Sequence, residues 1–152
     1  MLEAWRMVRE KFAATAFTGE GAAKTGGRWN SRGVAMVYAS ATRALAALET
    51  LVHLNPPMRF HYSIRRIEFE GRLVERFTMA ALPSDWRIEP PTPSTRRMGD
   101  DWARSLRSAI LEVPSIIIPD ETNYLLNPAH PDFNRITLGP PVRFTFDQRL
   151  II

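Results

Sequence analysis

An α+β fold is what these 152 residues predict, as one domain with a mixed, mostly antiparallel sheet and flanking helices. Three observations carry that prediction. Short β-rich segments recur along the chain, two segments have helical character, and strand and helix do not alternate in the βαβα manner that builds a parallel sheet. No repeat, low-complexity tract or long polar linker interrupts the sequence, so residues 1–152 read as a single domain.

The elements follow in order. WRMVREKF (5–12) suits a short strand or a helix, and the glycine-rich stretch after it reads as a loop. VAMVYAS (34–40) is short, apolar and valine-rich, as a buried strand is. Ser40 is placed to cap TRALAALETLVHL (42–54), whose alanine and leucine content favours a helix. Asn55, Pro56 and Pro57 should stop it. RFHYSIRRIEFEG (59–71) is β-rich, with an alternation that slips near Arg65 and Arg66 and so predicts a bulge or a strand end. Four prolines in 81–95 predict an extended loop, and STRRMGDDWARSLRSA (94–109) a helix with Trp102 and Leu106 one turn apart. ILEVPSIIIPD (110–120) reads as a strand pair interrupted by Pro114, at an edge or a bulge. ETNYLLNP (121–128) reads as a loop with one helical turn, and the tail ITLGPPVRFTFDQRLI offers one or two more strands.

Composition narrows the function. A hydrophobic content of 45% and a charged content of 24% are ordinary for a soluble globular protein. No apolar run approaches the roughly 20 residues of a membrane helix, and the N-terminus, with Glu3 and Glu10, lacks the apolar stretch of a secretory signal. There is no cysteine, and His53, His61 and His130 show no ligand spacing. A cytoplasmic protein without metal or cofactor is expected. The net charge of +4 is diffuse, since residues 59–107 hold ten arginines but also seven acids. That pattern reads as a mixed-charge solvated surface rather than a nucleic-acid groove.

The candidate chemistry starts in GEGAAKTGGRWNSRG (19–33), which holds five of the eight glycines. Such crowding lets backbone turn sharply and approach a ligand closely. Arg28 at its exit is a planar cation suited to a phosphate or carboxylate, so an anionic, nucleotide-like ligand is the first hypothesis. Trp29 is either a stacking face or core. The segment matches neither a Walker loop nor GxGxxG. On a helical wheel Glu49 falls about 40° from Leu45, at the edge of the apolar arc of Leu45, Leu48 and Val52. It either reaches solvent or an arginine, or points its carboxylate into a cleft. Tyr38 ends the strand beside that cleft mouth. Ser115 interrupts an apolar run with neither a GxSxG elbow nor a His–Asp set around it, which argues against a serine hydrolase. Asn123 and Asn127 frame the next loop, and Asn127 before Pro128 suits turn chemistry.

Together, GEGAAKTGGRWNSRG, VAMVYAS, ALAALETLVHL and VPSIIIPDETNYLLNP resemble the RES-domain family, named for an arginine, a glutamate and a serine. These fall on Arg28, Glu49 and Ser115, and the resemblance spans essentially the whole chain. It implies an ADP-ribosyltransferase-like fold and a bacterial toxin of a type II toxin–antitoxin module, with an Xre-type antitoxin as partner. It also implies that NAD+ is consumed as substrate, by a glycohydrolase or phosphorylase, or alternatively by ADP-ribosyl transfer to a protein. A non-catalytic, basic nucleic-acid-binding growth inhibitor is the more distant alternative. In the implied site Glu49 stabilises an oxocarbenium-like centre and Arg28 holds the pyrophosphate or the ribose edge. Tyr38 stacks on nicotinamide, Ser115 orients the ribose or Arg28, and Asn127 lies at the rim. The acceptor, whether water, phosphate or protein, stays open, as does a homodimer.

Overall fold

A computed structural model of the chain describes residues 1–53 and 61–150. Strands β1 (Leu2–Arg9), β2 (Val37–Ser40), β3 (Tyr62–Phe69), β4 (Val74–Arg76), β5 (Ile110–Pro114), β6 (Thr122–Leu126), β7 (Thr137–Leu138) and β8 (Val142–Phe144) form one sheet. Its order is β4-β5-β6-β2-β1-β3-β7, with β8 also on β3. Only β4 and β5 run parallel; the other pairs are antiparallel. The α+β class and the mostly antiparallel sheet therefore hold. The helices are α1 (Glu20–Thr25), α2 (Arg43–Leu51) and α3 (Pro93–Ser105).

Both faces of the sheet are buried, and that decides where the sequence patterns mislead. On one face Val37, Ile67, Phe69, Ile110 and Leu126 form the main core. On the other, Met36, Leu111, Val113 and Leu125 pack with Trp29 and Trp102, while Met7, Tyr62 and Ile64 pack with Phe146. A strand covered on both sides reads as a continuous apolar run rather than an alternating one. Residues 122–126 (TNYLL) lose the alternation in this way at Tyr124, Leu125 and Leu126, which are buried in succession. The loop with a helical turn expected there is β6, in the sheet interior between β5 and β2.

Other expectations are corrected in the same way. β1 and β3 pair through eight successive residues from Leu2↔Phe69 to Arg9↔Tyr62, so no bulge exists at Arg65 and Arg66. The slip arises because Arg65 faces inward, its guanidinium 4.8 Å from the Phe17 ring centre and its Nε bonded to the Gly139 carbonyl at 2.7 Å. Residues 110–120 hold one strand, not two, and Pro114 is its last residue, paired with Thr122 of β6 but beyond the last β4 pair, Arg76↔Glu112, so it has the one-sided edge position expected. The cap of α2 is Thr42, whose hydroxyl accepts from the Leu45 N–H at 3.0 Å, because Ser40 is still in β2. The expected stop at Asn55–Pro57 lies outside the described residues. α3 begins at Pro93, where the missing N–H costs nothing. It ends at Ser105, so Leu106 leaves the helix with φ 57° and sits exposed, away from Trp102. The glycine segment is not all loop, since it contains α1.

One feature of the topology positions the site. β1 and β2 are joined by a single pair, Trp5↔Ser40. Beyond it the two strands diverge, and a cleft of about 820 Å³ opens, lined by β1, β2, α2 and the loop after α1.

Candidate active site

Glu49 reaches this cleft from the second turn of α2. Its Oε1 accepts two bonds, from the Ser115 hydroxyl at 2.6 Å and from the Asn123 Nδ2 at 2.8 Å. Asn123 is held in turn by the Ser40 hydroxyl, which donates to its Oδ1 at 2.7 Å. The fold brings these together because Ser40 pairs with Asn123 across β2–β6 and Asn123 pairs with Val113 across β5–β6. Cross-strand partners share a face, so the strand ends meet beneath α2. Ser115 is fully buried and also accepts from the Ile117 and Ile118 N–H groups at 3.1 and 3.2 Å. Its hydroxyl is thus spent on Glu49 and the backbone. It positions the carboxylate rather than orienting a ribose or Arg28. Among the described residues, Oε2 of Glu49 takes no hydrogen bond, so half of the carboxylate stays available to a ligand.

Arg28 lines the same cleft from the loop after α1. Its Nη1 donates to the carbonyls of Trp86 at 3.0 Å and Ile88 at 2.8 Å, and its Nη2 pairs with the Glu89 carboxylate. Burial lowers its pKa, while the charges of Glu89 and then Glu49 pull it back up. Glu49 and Arg28 therefore sense each other. Tyr38 also lines the cleft, its hydroxyl donating to Asn30 Oδ1 at 2.6 Å and accepting from the Trp29 N–H at 3.1 Å. Desolvation pushes its pKa well up, so the phenol stays protonated.

Two glycines allow the Arg28 loop to sit where it does. A Cβ on Gly27 would lie 2.8 Å from the Tyr38 hydroxyl, and one on Gly99 of α3 would lie 1.7 Å from the Trp29 carbonyl oxygen. Neither position has room for a side chain. Buried Asn30 finishes the loop, its Nδ2 donating to the carbonyls of Ala22, Ser31 and Val34.

Two expected ligand contacts are corrected. Trp29 borders the cleft, but it is only 3% exposed and packs with Met36 and Trp102, with its ring tilted at 6.4 Å from Phe77, so it serves mainly as core. Asn127 is buried beyond the far end of β6 and away from the cleft lining. It donates to the Ala103 carbonyl at 2.9 Å and accepts from the Ala129 N–H at 3.0 Å, which is turn chemistry. His130 caps the 3-10 turn Pro131–Arg135. Sequence reasoning missed Asn123 as a partner of Glu49, Ser40 behind it, Asn30, and Glu89. The only signal for Ser40 and Asn123 was their polarity beside apolar runs, and Asn30 and Glu89 carried none.

Among the described residues no group of three His, Asp or Glu side chains is arranged to hold a metal ion, and no helix is long and apolar enough to cross a membrane.

Residues 3–147 match the family model described as the RES domain. The chain belongs to the RES-domain family. Over 97% of its length this RES domain is 42% identical to the Prs ADP-ribosylating toxin of Sphingobium sp. (strain YBL2), covering 95% of that protein. It is 36% identical to Toxin Res of Yersinia enterocolitica, with 96% of this chain and 97% of that one covered. A solved structure titled as the M. tuberculosis MbcT-MbcA toxin-antitoxin complex contains a chain that superposes with a TM-score of 0.77. That superposition covers 95% of this chain and 84% of the other at 18% identity, a likeness of fold.

Proposed function

We propose that this RES-domain toxin breaks the bond between nicotinamide and ribose in NAD+. The observation that carries the reading is the half-occupied carboxylate of Glu49, pinned through Oε1 with Oε2 open in a cleft shared with Arg28. Breaking that bond sends the electron pair out with neutral nicotinamide and leaves positive charge on the ribose, as in glycoside cleavage. A fixed carboxylate beside that centre stabilises charge as it develops, and Oε2 is free to accept from the ribose 2′-hydroxyl. Nicotinamide leaves without protonation, so the step needs no second carboxylate beside Glu49 to act as an acid. Arg28 supplies charge-assisted bonds to the pyrophosphate, and the Tyr38 ring offers a stacking face.

ADP-ribosyl transfer to a protein is the second reading. The printed name of the 42% identical Sphingobium relative favours it. The same bond breaks in either case, and only the nucleophile that adds to the ribose carbon differs. The toxin–antitoxin title of the structural neighbour supports a protein antitoxin as partner, of Xre type by the family resemblance.

The test is NAD+ loss over time with purified chain, with and without phosphate, against Glu49→Gln. Loss by wild type alone supports the reading, and phosphate dependence identifies the acceptor. An NAD+-dependent mass shift on a protein substrate selects the transferase. No loss and no transfer by antitoxin-free protein would sink both.

A further inference from the structure

Arg28 is not waiting empty in the cleft wall. Its side chain is 10% exposed and meets three acceptors, all from the segment 86–89. Two are backbone carbonyls, both on Nη1. The third is the Glu89 carboxylate, on Nη2, and Glu89 is 62% exposed and itself lines the cleft. The three contacts differ in kind. Carbonyls are neutral and fixed to the backbone, so they aim the guanidinium without satisfying its charge. The carboxylate satisfies the charge, but from a solvated side chain that can turn out into water when another anion takes its place. A carboxylate and a phosphate oxygen compete for the same fork of N–H donors. Nε of Arg28 takes no bond among the described residues, so an anion arriving at Nη2 finds a second donor beside it.

We propose that Glu89 is a built-in competitor for the anionic part of the ligand, and that it sets the affinity and phosphate selectivity of the cleft by occupying Arg28. This rests on the reading of the cleft as an NAD+ site. A phosphate-bearing ligand displaces the Glu89 carboxylate, while the Trp86 and Ile88 carbonyls keep the guanidinium aimed. A ligand without phosphate has no reason to displace it. Glu89 thus acts through Arg28 and not on the reacting bond.

The experiment measures binding apart from turnover. In the Glu49→Gln background, titration calorimetry compares Glu89 with Glu89→Gln for three probes: NAD+, ADP-ribose and nicotinamide riboside. Glu89→Gln should tighten NAD+ and ADP-ribose about two- to fivefold, the range that corresponds to a partly exposed ion pair. Nicotinamide riboside, which has no phosphate, should be unaffected. In the active background KM for NAD+ should fall by the same factor with kcat unchanged. Weaker NAD+ binding, or unchanged binding of all three probes, overturns the proposal; weaker binding would make Glu89 a support for Arg28. Wild-type protein that neither binds nor consumes NAD+ defeats the proposed function itself, a result distinct from binding that ignores Glu89. Glu89→Ala serves as a second variant, and an unchanged thermal midpoint in either excludes misfolding.

Discussion

Asn123 and Asn127 lie four residues apart, near the start of β6 and just past its end, on the same face of the sheet, yet they tie down different helices. Asn123 donates to Glu49 on α2 and accepts from Ser40. Asn127 donates to the Ala103 carbonyl in α3 and accepts from the Ala129 N–H. The first ends on a charged group with an oxygen to spare, the second on backbone groups whose bonding it completes. An amide that meets a charge holds chemistry in place, whereas one that meets only backbone holds the fold.

Substitutions can break or sharpen this contrast. The largest effect is expected from Glu49→Gln, which keeps acceptor geometry but removes the charge. NAD+ turnover should fall on the order of a thousandfold, the scale of losing a preorganised transition-state contact, with the thermal midpoint held. Asn123→Ala comes next. It leaves Glu49 on one anchor, and turnover should fall about a hundredfold, as for a slightly misplaced reacting group. Asn127→Ala is the converse case. Steady-state assays below the melting range should show unchanged kcat, while urea unfolding shows a loss of about 1–3 kcal/mol for stranded buried partners. A large drop in kcat there would erase the distinction between the two asparagines.

The smallest effect concerns Tyr38, which links the cleft to the Arg28 loop. Its folded pKa is raised, so the folded state keeps a proton that the unfolded chain releases near pH 10. The stability difference between wild type and Tyr38→Phe is therefore constant below about pH 10. Above it, the difference moves against the wild type as pH rises. Denaturant midpoints of the two proteins from pH 8 to 11 check this.

Much of the fold was legible because local signals and tertiary structure agree on the existence of β2, α2, β3 and the tail strands, though not on the cap of α2 or the regularity of β3. It failed at residues 121–128, where burial on both faces erased the alternation that marks a strand. The site was legible in part. The helical wheel placed Glu49 at the margin of an apolar arc, and glycine crowding pointed to Arg28. What each touches lay far away in the chain. Ser115 is 66 residues from Glu49, and Asn123 is 74. Trp29 was open to two readings because its burial depends on Gly99, a contact that no local pattern announces.

The single Trp5↔Ser40 junction has a consequence for how the molecule comes to life. The strands around the cleft find their partners across long stretches of chain: β1 with β3, β2 with β6, and Ser40 with Asn123 over 83 residues. Contacts of that separation close late, after the entropy of large loops has been lost. A nascent chain that has reached residue 110 already carries Arg28 and Glu49, but neither anchor of the carboxylate. The arrangement around Glu49 is complete only once β5 and β6 have joined the sheet, because Ser115 and Asn123 both come from beyond residue 110.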